Sequence, residues 1–151
     1  MMSRTIRPAV LAVAIGLATL WFALPGRDSV NSAGAMLSGE FEICASGPRI
    51  TCVVDGDTVW FEGTKYRFEE IDTPEKGGLA QCMQEGLQAI EATKRLAEIL
   101  STHNFTIETS GKDRYGRVLA RFRIAGTTAG QMLVSEGLAR PWSGRRERWC
   151  E

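Results

Sequence analysis

The sequence contains a single histidine, His103, and none of its four cysteines belongs to a C-x-x-C pair. Structural zinc sites are built from closely spaced cysteines and histidines, so this scarcity argues against a zinc-binding domain. Internal repeats and strongly biased segments are also missing, which argues against repeat architectures and extended disorder. The formal net charge is zero, so the chain lacks the overall basic excess typical of many polyanion-binding proteins.

What is present is the composition of a globular protein, with 44% apolar and 24% charged residues in a chain of 151. That length suits one domain with a hydrophobic core and is too short for two ordinary domains. Charge is unevenly distributed, because residues 112–148 include nine basic and only three acidic residues. Such a stretch suits a polyanionic partner, but charge alone favours a solvated face with ordinary ion pairs.

The N-terminus has the pattern of a targeting segment. Arg4 and Arg7 precede an apolar run over residues 9–24, which ends at Pro25-Gly26. Ala33-Gly34-Ala35 offers a cleavage site, yet it lies about ten residues beyond the run. Residues 1–35 are therefore predicted to be a signal peptide or a membrane anchor plus linker. Both alternatives predict an exported domain, whether periplasmic, secreted or anchored facing outward, over residues 41–151.

All four cysteines follow the apolar run, and an even number of cysteines in an exported domain predicts two disulfides. Three pairings are available. We prefer Cys44–Cys52 across the Gly47-Pro48 turn, which leaves Cys82–Cys150 to tie the C-terminal tail to the body of the domain.

Local patterns predict a small α+β domain whose strands can close into a barrel. Strands are predicted at residues 50–54, 58–61, 66–71, 105–109 and 118–124, and helices at 81–100 and 129–136. The long helix is expected to place Leu87, Ile90, Ala97 and Leu100 near one face. The short helix is expected to end at Gly137.

Two acidic clusters stand on either side of a short predicted hairpin. They are Asp55-Gly56-Asp57-Thr58 and Asp72-Thr73-Pro74-Glu75. Carboxylate and carbonyl oxygens are the ligands that hard divalent cations prefer, and Pro74 restricts the conformation of Thr73. Taken separately, each cluster is more often a turn than a metal site.

Arginines accompany the acidic clusters. Arg67 lies on the strand that enters the second cluster, and Arg117 ends the segment Asp113-Arg114-Tyr115-Gly116-Arg117. Cleavage of a phosphodiester needs an oriented water and positive charge against the phosphoryl oxygens. Arginine supplies that charge with a bidentate fork, and Glu75 can orient or deprotonate water.

The order D-G-D-T, R-x-x-x-x-D-T-P-E and D-R-Y-G-R resembles the staphylococcal nuclease family over about residues 51–140. The resemblance implies an OB-fold five-stranded β-barrel with two to three packed helices and a Ca2+-dependent nuclease. It implies Ca2+ ligation by the carboxylates of Asp57 and Asp72 and the carbonyl of Thr73, with Asp55 acting through water. It assigns phosphate binding to Arg67 and Arg117 and the general-base role to Glu75.

The resemblance also implies a DNA or RNA substrate, expected to be single-stranded, and a chain that acts as a monomer. Arg114 and Tyr115 are expected to contact the substrate. Trp142 stands near the place of the family's nucleotide-binding tyrosines, where stacking on a base and simple packing are equally open. A non-catalytic OB-fold module that binds nucleic acid or protein is the main alternative, and a cell-surface structural domain is a third.

Overall fold

The chain divides into two units, residues 1–31 and residues 32–151. The structure is a computed structural model that describes residues 34–150. The predicted targeting segment up to residue 33 therefore lies outside the described residues. No helix within residues 34–150 combines the length and apolar character needed to cross a bilayer.

The described chain is an α+β domain, as predicted. Its elements are β1 (Glu42–Ile43), β2 (Cys52–Asp55), β3 (Thr58–Phe61), β4 (Thr64–Phe68), β5 (Ile71–Asp72), a 3-10 turn (Gly77–Leu79), α1 (Met83–Thr102), β6 (Thr106–Lys112), β7 (Val118–Ile124), β8 (Thr127–Thr128), α2 (Ala129–Ser135) and β9 (Arg140–Pro141). The main sheet has the order β1-β2-β3-β4-β7-β6, with β8 against β7. The β1–β2 and β4–β7 pairs are parallel and the others antiparallel, which is consistent with the expected OB-like fold.

The strands predicted at 58–61 and 118–124 have the predicted bounds. The strand predicted at 66–71 is instead split, because β4 ends at Phe68 and β5 begins at Ile71. At the break, Glu69 and Glu70 lie within ion-pair distance of Arg121, and the Glu70 carbonyl accepts a hydrogen bond from the Trp142 amide at 2.8 Å. β5 then pairs with β9 rather than with the main sheet, which places Asp72 at a corner of the fold.

Helix α1 buries a different face from the predicted one. Leu87 and Ile90 are 53% and 47% exposed, so the expectation for these two residues is wrong. The buried face follows the helical spacing of Ala89, Ala92, Leu96, Ala97, Ile99 and Leu100. Three of these positions are alanines, and their small side chains allow α1 a close approach to its neighbours that a ranking by hydrophobic size does not indicate.

A cluster of phenylalanines fills the core between the sheet and the helices. Its members are Phe41, Phe61, Phe68, Phe105 and Phe122, with neighbouring ring centroids 5.0–5.9 Å apart. Edge-to-face pairs at these separations add to the stabilisation that burial provides. Leu37, before β1, exchanges two backbone hydrogen bonds with Phe105 and so ties the start of the domain to this core.

Both predicted disulfides are present, Cys44–Cys52 and Cys82–Cys150. Cys82 is the N-cap residue of α1. The second disulfide therefore holds the end of the C-terminal tail against the start of the long helix, close to the second acidic cluster.

Thr128 links the start of helix α2 to Glu70, which lies at the break between β4 and β5. Its hydroxyl accepts a hydrogen bond from the Gln131 amide at 3.0 Å and donates one to the Glu70 carboxylate, and the residue is buried. Thr128→Ala is expected to lower the free energy of unfolding by about 1–2 kcal/mol, because it removes an N-cap and leaves a carboxylate oxygen unpaired. Urea denaturation checks this, with the neighbouring and more exposed Thr127→Ala as control; equal losses in the two variants would contradict it.

Candidate active site

The two acidic clusters meet in the structure. The turn between β2 and β3 carries Asp55, Gly56 and Asp57, and a Cβ atom placed on Gly56 would lie 3.1 Å from the Thr73 Cβ. The side chain of Lys76 donates a hydrogen bond back to the carbonyl of Val54, which is a second link between the clusters. The hairpin of β3 and β4 thus folds the two sequence motifs onto each other, as their spacing predicts.

Asp57 is a buried carboxylate held by Arg67. Arg67 Nη1 lies 2.9 Å from Oδ1 and 2.8 Å from Oδ2, and the Thr58 hydroxyl donates to Oδ1 at 2.8 Å. Burial, followed by the negative charge of Asp55, raises the pKa of Asp57 to about 7, although Arg67 lowers it. A buried acid of this kind becomes ionised more easily when a cation binds it.

Arg117 is oriented by Asp113. Its Nε donates to Asp113 Oδ2 at 2.7 Å, and its amide donates to Oδ1 at 3.0 Å. The Tyr115 amide donates to the same Oδ1 at 2.9 Å, so the Asp113 side chain holds the backbone of the loop that follows it. Burial tends to raise the pKa of Asp113, but the hydrogen bonds from Arg117 and Tyr115 outweigh it and hold the pKa below its usual range.

Glu85 fixes the loop that carries Glu75. This residue of the first turn of α1 is only 2% exposed. Its carboxylate accepts hydrogen bonds from the Glu75 amide at 3.1 Å and the Gln81 amide at 2.7 Å. The sequence contains a weak signal for it, an acidic residue in the first helical turn, but nothing that points to Glu75.

Arg146, in the C-terminal tail, contacts the second acidic cluster. Its Nε and Nη2 lie 3.3 and 3.2 Å from Asp72 Oδ1, and its Nη1 donates to Glu75 Oε1. Burial favours the neutral form of Arg146, but the hydrogen bond to Glu75 and the charge of Asp72 outweigh it and raise its pKa above the ordinary value. In the sequence Arg146 is one of several arginines of a basic stretch, and its place at the site follows only from the disulfide that returns the tail.

A cleft of about 680 Å³ collects these groups. Its walls include seven of the residues predicted from the sequence: Arg67, Asp72, Glu75, Arg114, Tyr115, Arg117 and Trp142. Asp113 and Arg146 join them in the lining. Asp55, Asp57 and Thr73 do not line the cleft, but Arg67 connects Asp57 to it and Arg146 lies 3.4 Å from the Thr73 carbonyl.

The rim of the cleft is aromatic and basic. Tyr115 is 69% and Trp142 43% exposed. The guanidinium carbons of Arg114 and Arg117 lie 4.9 and 5.5 Å from the centroid of the Tyr115 ring. An exposed aromatic ring beside arginines is a suitable surface for stacking an unpaired base.

The oxygens of Asp57, Asp72 and Thr73 are those that a hard cation prefers, and all three residues are 3% exposed. Arg67 pairs with Asp57 and Arg146 pairs with Asp72, so both carboxylates already have a positively charged partner. Within residues 34–150, no three His, Cys, Asp or Glu side chains group closely enough to hold a metal by themselves. The donor chemistry fits Ca2+ with two carboxylates, one backbone carbonyl and water.

Comparison with known proteins identifies the family of the chain. A family model described as staphylococcal nuclease homologue matches residues 65–148, more than half of the chain. The chain belongs to the staphylococcal nuclease family. The matched range includes Arg67, Asp72, Glu75, Arg117 and the tail with Arg146, and it begins after Asp55 and Asp57.

Three curated relatives resemble the chain. It is 34% identical over 94 residues to Endonuclease YncB of Bacillus subtilis (strain 168), covering 58% of this chain and 44% of that protein. It is 35% identical over 94 residues to SPbeta prophage-derived endonuclease YokF of the same organism, covering 58% and 31%. It is 30% identical over 129 residues to Succinoglycan biosynthesis protein ExoI of Rhizobium meliloti (strain 1021), covering 76% and 64%. The match spans less than half the length of either Bacillus protein.

Proposed function

We propose that this protein is a Ca2+-dependent nuclease that hydrolyses phosphodiester bonds of DNA or RNA. The observation that carries the proposal is the single cleft in which Arg67, Asp72, Glu75 and Arg117 line one space. These residues come from distant parts of the chain, and each alone has an ordinary structural explanation. Their convergence on one cleft is what a phosphate-cleaving site requires.

The two arginines are suited to hold the phosphate. Arg117 uses Nε for Asp113, which leaves its Nη groups to donate to phosphoryl oxygens. Arg67 is bound through Nη1 to Asp57, so one side of its guanidinium is fixed by the protein. Because both forks are oriented before substrate arrives, they stabilise the charge that grows on the phosphoryl oxygens at little cost in reorganisation.

Glu75 is the group that takes a proton from the attacking water. Its backbone is held by the buried Glu85, which limits the positions its carboxylate can reach. Ca2+ bound by Asp57, Asp72 and the Thr73 carbonyl, with Asp55 acting through water, would offset further negative charge on the phosphate. Water then attacks in line with the leaving oxygen, with Arg67, Glu75 and Arg117 at the cleft and the bound Ca2+ beside it, and the leaving oxygen takes a proton from solvent.

The rim favours single strands. Tyr115 and Trp142 flank the cleft and are accessible for stacking, which needs bases that are not already stacked in a duplex. Arg114 adds positive charge beside Tyr115 for the nucleic-acid backbone. We expect the domain of residues 41–151 to act as a monomer, since one chain supplies every residue of the site.

We further infer export from the cytoplasm. The two disulfides suit an oxidising compartment, and the N-terminal pattern suits a signal peptide or a membrane anchor. The name of the Rhizobium relative refers to succinoglycan biosynthesis and not to nucleic acid. A non-catalytic binding module therefore stays the second candidate, and the test must separate binding from turnover.

The test is cleavage of single-stranded DNA and RNA oligonucleotides by the full-length chain in mild detergent. Cleavage is expected with Ca2+ and is expected to fall to background in excess EGTA, because the two ligand carboxylates are then without their cation. Binding of the same oligonucleotides is measured in parallel by fluorescence anisotropy. Undiminished cleavage in EGTA would contradict the Ca2+ requirement, and tight binding without any turnover in Ca2+ would favour the binding module.

A further inference from the structure

The guanidinium of Arg146 contacts the oxygens that the proposed function assigns to the cation and to water activation. Its Nη2 lies 3.2 Å from Asp72 Oδ1 and 3.4 Å from the Thr73 carbonyl oxygen. Its Nη1 donates to the Glu75 carboxylate. One positively charged group of the protein thus engages all three members of the second acidic cluster that carry chemistry.

The tail that carries Arg146 is anchored just beyond it, at residues 148–150. Cys150 is bonded to Cys82 at the start of α1. Trp149 Nε1 donates to Asp72 Oδ2 at 3.4 Å, and the Arg140 guanidinium lies 4.2 Å from the centroid of the Trp149 ring. Arg140 Nη1 also donates to the Arg148 carbonyl at 2.8 Å. These contacts keep Arg146 at a high effective concentration beside Asp72.

The buried carboxylate of Asp72 is stable as an anion only beside a positive charge. Its side chain is 4% exposed, and Arg146 is its ion-pair partner within the described residues. A buried carboxylate without a counter-charge is unfavourable, so the acid must be matched either by the guanidinium or by a cation. The Arg146 side chain stays 37% exposed, which gives it room to turn away from Asp72 when it is displaced.

We propose that Arg146 is an internal competitor of the divalent cation and sets the affinity of the site for Ca2+. This inference rests on the proposed function, because it takes Asp72 and Thr73 as cation ligands. A guanidinium and a divalent cation repel each other and need the same oxygens, so only one of them binds Asp72 and Thr73 at a time. The apparent Kd for Ca2+ is then weaker than the intrinsic Kd by the fraction of molecules in which Arg146 has left.

The Cys82–Cys150 disulfide strengthens the competition between Arg146 and the cation. It closes the tail onto the helix that supports Glu75 through Glu85, and thereby returns Arg146 to the site after each excursion. Cutting this tether lowers the local concentration of the guanidinium and shifts the competition towards the cation. The oxidised chain therefore requires more Ca2+ than the chain with a free tail.

Isothermal titration with Ca2+ alone, on the full-length chain in mild detergent, measures the competition without substrate. Arg146→Gln keeps a long polar side chain but removes the charge that competes, and its Kd is expected to fall by about tenfold or more. Arg145→Gln is the matched control, since it removes one charge from the same exposed tail and Arg145 makes no ion pair within the described residues. Its Kd is expected to change by less than about threefold, because only screened long-range charge is altered.

The outcomes separate this inference from the proposed function. Equal Kd values for the natural chain and Arg146→Gln, or weaker binding by the variant, would overturn the competition and leave the Ca2+ site standing. No Ca2+ binding by either protein would overturn the Ca2+ site and the competition with it. If Arg146→Gln does not fold, NMR of the natural chain decides. The Arg146 Nε–H and Trp149 indole N–H resonances are expected to shift together as Ca2+ saturates, and saturation without such shifts would overturn the inference.

Discussion

Arg117→Ala is expected to lower kcat for oligonucleotide cleavage by about 10²–10³, the effect of losing one preorganised donor to a developing anion. Asp113 fixes the guanidinium through Nε and leaves the Nη groups free to donate to phosphoryl oxygens, and alanine removes these donors. The phosphate contact strengthens as charge accumulates, and the loss should therefore appear mainly in kcat rather than in KM. Steady-state cleavage of a single-stranded oligonucleotide in saturating Ca2+ measures both constants.

Arg123→Ala supplies the matched control for this prediction. Arg123 lies on β7, the strand that follows the loop, but pairs with Glu108 on the exposed surface and does not line the cleft. Its kcat is expected to stay within about twofold, since an exposed ion pair contributes little. Arg117→Lys should recover only part of the loss, because an ammonium cannot reproduce the planar fork. Equal kcat values for Arg117→Ala and Arg123→Ala would remove Arg117 from the site.

The members of the site that are local in sequence were predictable, and the reason is physical. Asp57 precedes a short hairpin, and Asp72 and Glu75 follow it. The two-residue turn at Glu62-Gly63 fixes the register of the hairpin and so brings its two ends together. Arg67 faces Thr58 across that hairpin, so its contact with Asp57 follows from register. Sequence spacing predicts these contacts because a hairpin with a short loop can adopt only a few backbone conformations.

The members that depend on long-range closure were not predictable. Arg146 reaches Asp72 from 74 residues away, through a disulfide and a tail without regular pattern. Glu85 supports Glu75 only because the long helix begins where it does. The exposed Leu87 and Ile90 show the same limit for the core, since α1 buries the face with Ala89 and Ala92 instead. Hydrophobic periodicity predicts which side of a helix is apolar on average, but it does not predict which element will pack against the helix.

Gly56→Ala is expected to reduce both stability and cleavage, because the two acidic clusters touch at this glycine. The added Cβ would lie 3.0 Å from the Ala92 Cβ and 3.0 Å from the Thr73 Cγ2, closer than ordinary van der Waals contact. Overpacking of this kind costs about 1–3 kcal/mol in the free energy of unfolding. Relief requires the turn with Asp55 and Asp57 to move away from Thr73, and a displacement near 1 Å at a catalytic constellation costs about 10²-fold in rate.

Gly78→Ala distinguishes this steric effect from a general response to replacing glycine. A Cβ on Gly78 would meet no atom within 4 Å, and its backbone is not in the left-handed region. Its free energy of unfolding is expected to stay unchanged or to rise by about 0.4–1 kcal/mol, because alanine restricts the unfolded chain. Urea denaturation and a Ca2+ titration of cleavage compare the two variants.

If Gly56→Ala is as stable and as active as Gly78→Ala, the acidic clusters do not depend on the close contact of Gly56 with Thr73 and Ala92. A loss of stability with unchanged Ca2+ dependence would show that the contact supports the fold alone, and that Asp57 keeps its place by the Arg67 pair.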